Sequence, residues 1–484
     1  MTDTAFQSAN ALVQALRSRT ISAGDLLELY LERIDRYNPA VNALVHIDRD
    51  AARATAREAD AALARGENIG PLSGLPMTVK ESYDVAGWPT TRGNPALKDT
   101  IAPRDSVVAA RLKAAGANIF GKTNVPINLS DLQSYNAVYG TTNNPWNLER
   151  TPGGSSGGSA AALAAGLTGL EVGSDIGGSI RNPAHFSGVY GHKTTWGIVP
   201  QRGHAAPDIL ASSDISVMGP LGRSAEDLAL ELDVIAGPDD LDAAGWRLDL
   251  PAPTKTRLGD YRVAAWLDDP LSPVGSEVGT AQQAVIDCLA KLGVAVDDKA
   301  RPDFDAAHAN AVYWNLLQSV THARLPREDF DRDCARAAEL DPNDQGHSAR
   351  VLRAGVQRHR DWLAMNEART HLRWRWHEFF EEYDVLLSPI AAVPAFPQDE
   401  SADMGKRHLT VDNVEQPYFQ HIFWAGMTGV VFLPSTVAPI GRSPSGLPIG
   451  IQIIGPAMHD RITIDFARLL ANEIGGFQPP PGYD

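Results

Sequence analysis

The sequence holds only two cysteines, Cys288 and Cys334, among 484 residues, and neither lies in a Cys-x-x-Cys pair. That scarcity argues against a disulfide framework or a thiolate zinc site and fits a reducing compartment. No stretch approaches ~18 consecutive apolar residues, so no membrane span is expected. The segment Met1 to Asn10 lacks the basic patch and apolar run of a signal peptide, and a cytoplasmic location is expected. Positive charge is also short: 43 Lys and Arg stand against 59 Asp and Glu, a formal net charge of -16. A nucleic-acid surface needs clustered cations facing phosphate, so none is expected here. Internal repeats, heptads and low-complexity tracts are missing as well, which leaves a globular enzyme with room for a deep pocket.

What is present alternates between helix and strand signals. Ser22 with Asp25 three positions later predicts a capped helix start, and Leu26, Leu27, Tyr30, Leu31 and Ile34 follow at helical spacing. A second helix is expected from about Ala51 to Arg65. A short strand over Leu75 to Val79 then delivers Lys80 at its end. Ser106 to Ala115 reads as a helix and Ala117 to Phe120 as a strand. After the glycine–serine run Gly153 to Ser159 come an expected helix, Ala160 to Gly166, and a strand, Leu167 to Val172. Beyond the connector Pro251 to Thr256, Tyr261 to Leu267 reads as a strand and Val278 to Leu292 as a helix. The alternation favours an α/β layered architecture.

Two motifs invite false readings. Gly116 to Thr123 fits the phosphate-binding pattern G-x-x-x-x-G-K-[ST], which requires a strand before the glycines and a helix after them. Here the order is reversed, and Pro126 disfavours a helix opening at Lys122. Gly153-Gly154-Ser155-Ser156-Gly157 fits the nucleophile elbow G-x-S-x-G, but a loop rather than an apolar strand leads into the serine.

A third reading joins separate pieces. In Gly173 to Arg181, two glycines before Ser179 let the backbone turn tightly, so that successive N–H groups can point into one concavity. An oxyanion hole needs that arrangement. A serine hydroxyl also needs a base. Lys80 can serve if burial lowers its pKa from about 10.4 towards neutrality.

Together these pieces resemble the amidase signature family of serine amidohydrolases. The matching segments are Gly74 to Glu81, Gly121 to Asn124, Asn144 to Trp146, Pro152 to Ser159 and Gly173 to Arg181, with Ser388-Pro389 and Gly446 to Gln452 late in the chain. The resemblance implies an α/β amidase signature fold with a central mixed β-sheet flanked by helices on both faces. It further implies one amidase domain over residues 1–484, with 305–382 a helical substrate cap. Ser179 matches the family's nucleophile, Ser155 the bridging serine on a cis peptide bond, and Lys80 the base. The amides of Ile176, Gly177, Gly178 and Ser179 match the oxyanion hole, while Ser174, Asp175 and Arg181 resemble its polar support. No metal or cofactor is implied.

Two departures from the family's pattern stand out, the first in the loop behind the site and the second bearing on substrate. Gly191-His192-Lys193-Thr194-Thr195 replaces the more usual Gly-Leu-Lys-Pro-Thr. Where the proteins that amidate misacylated tRNA carry an aspartate-containing segment, this chain has Tyr418 to Trp424, apolar and aromatic. That favours a stand-alone amidase, a monomer or homodimer, acting on a small-molecule amide, anilide, ester or carbamate with apolar or aryl substituents. The alternative is a protein like the glutamine-hydrolysing A subunit of an amidotransferase. Tyr313, Trp314 and Leu317 are candidates to line the pocket.

Overall fold

A computed structural model describes residues 2–204, 209–344 and 346–483, so of the segment Met1 to Asn10 the first residue lies outside it. Its centre is an eleven-stranded mixed sheet with helices packed on both faces. Three strands near one end carry much of the site. Pro76–Lys80 runs parallel to both Asn118–Thr123 and Glu171–Asp175, and every residue of the three is buried. Strands buried on both faces read as continuous runs, because helices cover each side. Antiparallel neighbours then extend the sheet through Val217–Gly222, Tyr190–Lys193, Ser435–Arg442 and Pro448–Ile454.

Local chemistry sets the elements that lead to these strands. Ser22 accepts the Asp25 amide at 2.9 Å and starts helix Ala23–Val41, which ends at Asn42 in the left-handed conformation. Helix Arg49–Ala64 follows, then Val107–Ala114, capped by Ser106. The strand expected at Ala117 to Phe120 runs on to Thr123, so the sequence that imitates a phosphate loop is a buried strand after a helix. Lys122 there donates to Glu81 O at 3.0 Å and Thr90 Oγ1 at 2.8 Å.

Two boundaries differ from expectation. The helix expected from Ala160 begins at Gly157 and ends at Ala164. A Cβ on Gly157 would stand 2.5 Å from Ser134 Oγ, and one on Gly158 2.3 Å from the Asn124 amide nitrogen. These glycines therefore serve close packing inside a helix, not looseness in a linker. The strand expected over Leu167 to Val172 runs instead over Glu171–Asp175. Its ladder to Val217–Gly222 continues past the apolar residues and carries Ser174 and Asp175 inward.

The later chain follows the expected order. Connector 251–256 has no regular structure, strand Val263–Ala265 is shorter than expected, and helix Ser276–Lys291 follows. Between 305 and 382 lie helices Ala306–His322, Arg327–Glu339, His347–Gly355 and His359–Glu382; Gln345 is outside the described residues. Among the described residues no helix is long and apolar enough to cross a membrane.

Candidate active site

Lys80 ends its strand with a fully buried side chain, so water cannot solvate its charge. Its Nζ lies 2.7 Å from Ser155 Oγ, 2.9 Å from Ser156 Oγ and 3.0 Å from Ser174 Oγ. Hydroxyls can receive its protons, but they supply no compensating negative charge. Burial, helped by the Arg92 guanidinium and opposed by Asp175 and Glu171, brings the Lys80 pKa down to about 7. A large share of Lys80 is then a free amine at neutral pH.

Ser155 stands in the loop that enters helix Gly157–Ala164, after a cis Gly154–Ser155 peptide bond. It is not at the end of a strand, so the elbow pattern is not realised. Ser179 lies in the turn between strand Glu171–Asp175 and helix Arg181–Ser187. Its carbonyl accepts the Ser156 amide at 3.0 Å, which brings the two serine loops side by side. Among the described residues no hydrogen bond joins Ser179 Oγ to Ser155 Oγ.

Asp175 and Arg181 hold the turn in shape. The Asp175 carboxylate accepts the Gly178 amide at 2.9 Å and the Ile180 amide at 3.0 Å, and pairs with Arg181 at 2.8 Å. Arg181 donates onward to Thr428 Oγ1 and Gln452 Oε1, each at 2.7 Å, which ties the turn to the late part of the chain. Burial alone would raise the Asp175 pKa, but Arg181 and the Ile180 amide outweigh it and bring it to about 2. The Gly178 amide is thus already engaged. The amides of Ile176, Gly177 and Ser179 have no protein acceptor among the described residues and remain available as anion donors.

Replacing Asp175 with asparagine should destabilise the protein by about 3–5 kcal/mol, because Arg181 would remain charged, buried and unpaired. Urea unfolding of the two proteins at pH 7 checks this. Since the folded Asp175 pKa lies below its ordinary value of 3.8, its contribution is present above that value. It is lost as pH falls towards about 2, so wild type and variant should converge in acid.

Sequence reasoning missed two supporting residues. Ser156 adds a second hydroxyl to the lysine's cradle, at 2.9 Å. Asn182 Nδ2 donates to Gly154 O at 2.7 Å and to Gly178 O at 2.9 Å, while its Oδ1 accepts the Gly154 amide at 3.1 Å. Asn182 follows Arg181 directly, yet nothing in its spacing indicated that it bridges both loops.

A narrow recess of about 20 Å³ borders Gly177 and Gly178, with walls that include Leu132, Phe186, Phe396 and Ile422. It shares Val393, Phe396 and Leu409 with a wider cleft of about 720 Å³. His421 faces the recess with both ring nitrogens buried and without a partner among the described residues, and burial lowers its pKa to about 4. It presents an uncharged polar group there.

The aromatic segment Tyr418 to Trp424 plays a different part from the one expected. Tyr418 borders the wide cleft, but its hydroxyl donates to Asp131 Oδ1 at 2.6 Å. Phe423 and Trp424 pack in the core against Trp266, and Trp424 Nε1 donates to Ser272 O at 3.1 Å. Tyr313 donates to Ile176 O at 3.2 Å beside the oxyanion loop, Trp314 packs near Phe419, and Leu317 is a core residue. Most of these rings therefore serve packing. Among the described residues no group of three His, Cys, Asp or Glu side chains is placed to hold a metal ion.

Comparison with known proteins bears on both chemistry and substrate. The amidase family model matches residues 25–464. The glutamyl-tRNA(Gln) amidotransferase A subunit of Acidothermus cellulolyticus is 34% identical, over 95% of this chain and 93% of that protein. The protein of the same name from Anaeromyxobacter sp. strain K is 34% identical, over 96% and 95% respectively. A solved bacterial aryl acylamidase of the amidase signature family superposes with a TM-score of 0.81 at 25% identity, covering 97% of this chain and 96% of that one.

The amidotransferase relatives overturn the expectation of a stand-alone amidase, a monomer or homodimer acting on a small-molecule amide with apolar or aryl substituents. That expectation leaned on Tyr418 to Trp424, whose rings are largely committed to the core and to Asp131.

Proposed function

The chain belongs to the amidase signature family and is a serine amidohydrolase, and from that premise we propose that it is the glutamine-hydrolysing A subunit of an amidotransferase. The observation that carries this reading is the 34% identity to amidotransferase A subunits across nearly the full length of both partners. The site supports it with the apparatus that a primary carboxamide requires. Neutral Lys80 takes the Ser155 proton while Ser155 takes that of Ser179, and Ser179 Oγ attacks the side-chain carbonyl carbon of glutamine. The negative oxygen of the tetrahedral intermediate is met by the amides of Ile176, Gly177 and Ser179. The proton returns through Ser155 to the nitrogen, the C–N bond breaks and ammonia leaves. Water then adds along the same path, breaks the Ser179 ester and releases glutamate.

Closing the gap between Ser155 and Ser179 is assigned to substrate binding, since catalytic hydrogen bonds often tighten only in the occupied site. Helices within 305–382 act as the cap of one amidase domain, with Tyr313 as their contact to the oxyanion loop. The free cysteines Cys288 and Cys334 accord with a cytoplasmic setting.

Glutamate release from glutamine, measured for the purified chain alone and with the amidotransferase's other subunits, tests the reading. Turnover that strengthens with those subunits and stops in Ser179→Ala supports it. Failure to hydrolyse glutamine in either setting, alongside turnover of simple amides by the chain alone, would refute it. Mass mapping after a serine-directed fluorophosphonate should place the adduct on Ser179, and a different labelled serine would refute the nucleophile assignment.

A further inference from the structure

Glu171 opens the strand that ends at Asp175 and stands opposite Thr78 on the neighbouring parallel strand. Thr78 Oγ1 donates to Glu171 Oε1, while Glu171 Oε2 is buried without a partner among the described residues. Thr78 and Lys80 are two residues apart on one strand, so their side chains share a face at roughly 6–7 Å spacing. Glu171 therefore stands one pleat from Lys80, on the same buried face.

A fully buried carboxyl with no cation in contact is costly to ionise. Burial pushes the Glu171 pKa up to about 8, against the Thr78, Ser159 and Thr123 hydroxyls and the more distant Lys80, which favour the anion. The groups facing it do not reverse that balance. Glu231, from helix Ala225–Ile235, has both carboxyl oxygens buried without a partner among the described residues, and burial together with Glu171 and Asp227 raises its pKa well above the usual range. Tyr83 is a buried phenol that donates to Gly173 O at 2.6 Å. Asp175, on the same strand, is neutralised by Arg181, and Arg92 acts on Lys80 as a further positive charge.

We propose that Glu171 is a positioning residue that acts through Lys80: the two groups share one proton, and the competent form carries it on Glu171, leaving Lys80 a free amine. The competing form, a Glu171 carboxylate with a Lys80 ammonium, has the same net charge but no base. The inference rests on Lys80 as the base of the proposed reaction, and it holds for any amide substrate that the site accepts.

Glu171→Gln keeps the shape and an acceptor for Thr78 while removing the competing form. Because the neutral Glu171 is the prevailing form, the midpoint of the rise of kcat/KM with pH should stay within about 0.3 pH unit of wild type, with the high-pH plateau within about twofold. Infrared difference spectra of wild type against Glu171→Gln at pH 7 should show a protonated-carboxyl band and no carboxylate band. Thr78→Val, which removes a hydroxyl that favours the carboxylate, should keep the protonated-carboxyl band, and it serves if Glu171→Gln does not fold. A carboxylate band at pH 7, or a midpoint that falls by a full unit in Glu171→Gln, would overturn the proton on Glu171 while leaving Lys80 as base. An ascending limb that persists in Lys80→Ala would instead overturn the lysine assignment and this proposal with it.

Discussion

Ser179→Ala is expected to lower kcat for amide hydrolysis by about 10⁴–10⁶, the range in which removal of a serine nucleophile leaves only binding and oxyanion donors. The fold should survive the change. The Ser179 side chain forms no hydrogen bond among the described residues, and the contacts that hold the turn are made by Asp175, Arg181, Asn182 and backbone groups. Thermal unfolding of the variant should therefore match wild type within a few degrees, while the fluorophosphonate adduct disappears. Substantial residual turnover in a folded, contaminant-free variant would place the nucleophile elsewhere.

Lys80→Ala should have the next largest effect, about 10²–10⁴ for an amide and clearly less for an ester of the same acyl group. The difference comes from the leaving group. Amide nitrogen must receive a proton before it departs, whereas an alkoxide can leave without full protonation. Loss of the lysine removes both the base and the store from which Ser155 returns that proton. Wild-type kcat/KM should rise through about pH 7 as Lys80 loses its proton, because only the free amine can act as base. The variant should lack that rise. Equal losses for amide and ester would contradict the proton-return role, and a flat wild-type profile between pH 6 and pH 9 would contradict the base.

The segments of the candidate centre were legible in the sequence as separated, glycine-marked stretches, and the fold brings Lys80 within hydrogen-bonding distance of Ser155, Ser156 and Ser174. Decoys carrying similar glycines failed on the elements that flank them: Gly116 to Thr123 is a strand after a helix, and Ser155 follows a loop. What remained hidden depends on contacts that spacing does not encode. The Gly178 amide matched the oxyanion set, yet Asp175 engages it. Ser156, Asn182 and Glu171 gave no local signal, because their partners come from strands and loops brought together only in three dimensions.

Substrate was the hardest part to read. Tyr418 to Trp424 has the composition of either an aryl pocket or a packed core, and residue type alone cannot separate the two. In the fold most of these rings are committed to packing or to Asp131, and the segment's polar side chain that lines the recess is His421.

The three hydrogen bonds of Asn182 have an energetic consequence for the whole centre. They join the loop of Ser155 to the loop of Ser179, so the two segments hold their relative position as one unit. Damage to either side should then cost much of what damage to both would. In a double-mutant cycle pairing Asn182→Ala with a change in either loop, the losses in kcat should fall short of additivity. The placement of one loop against the other is thus a shared property of both, maintained by a residue that bonds to each of them.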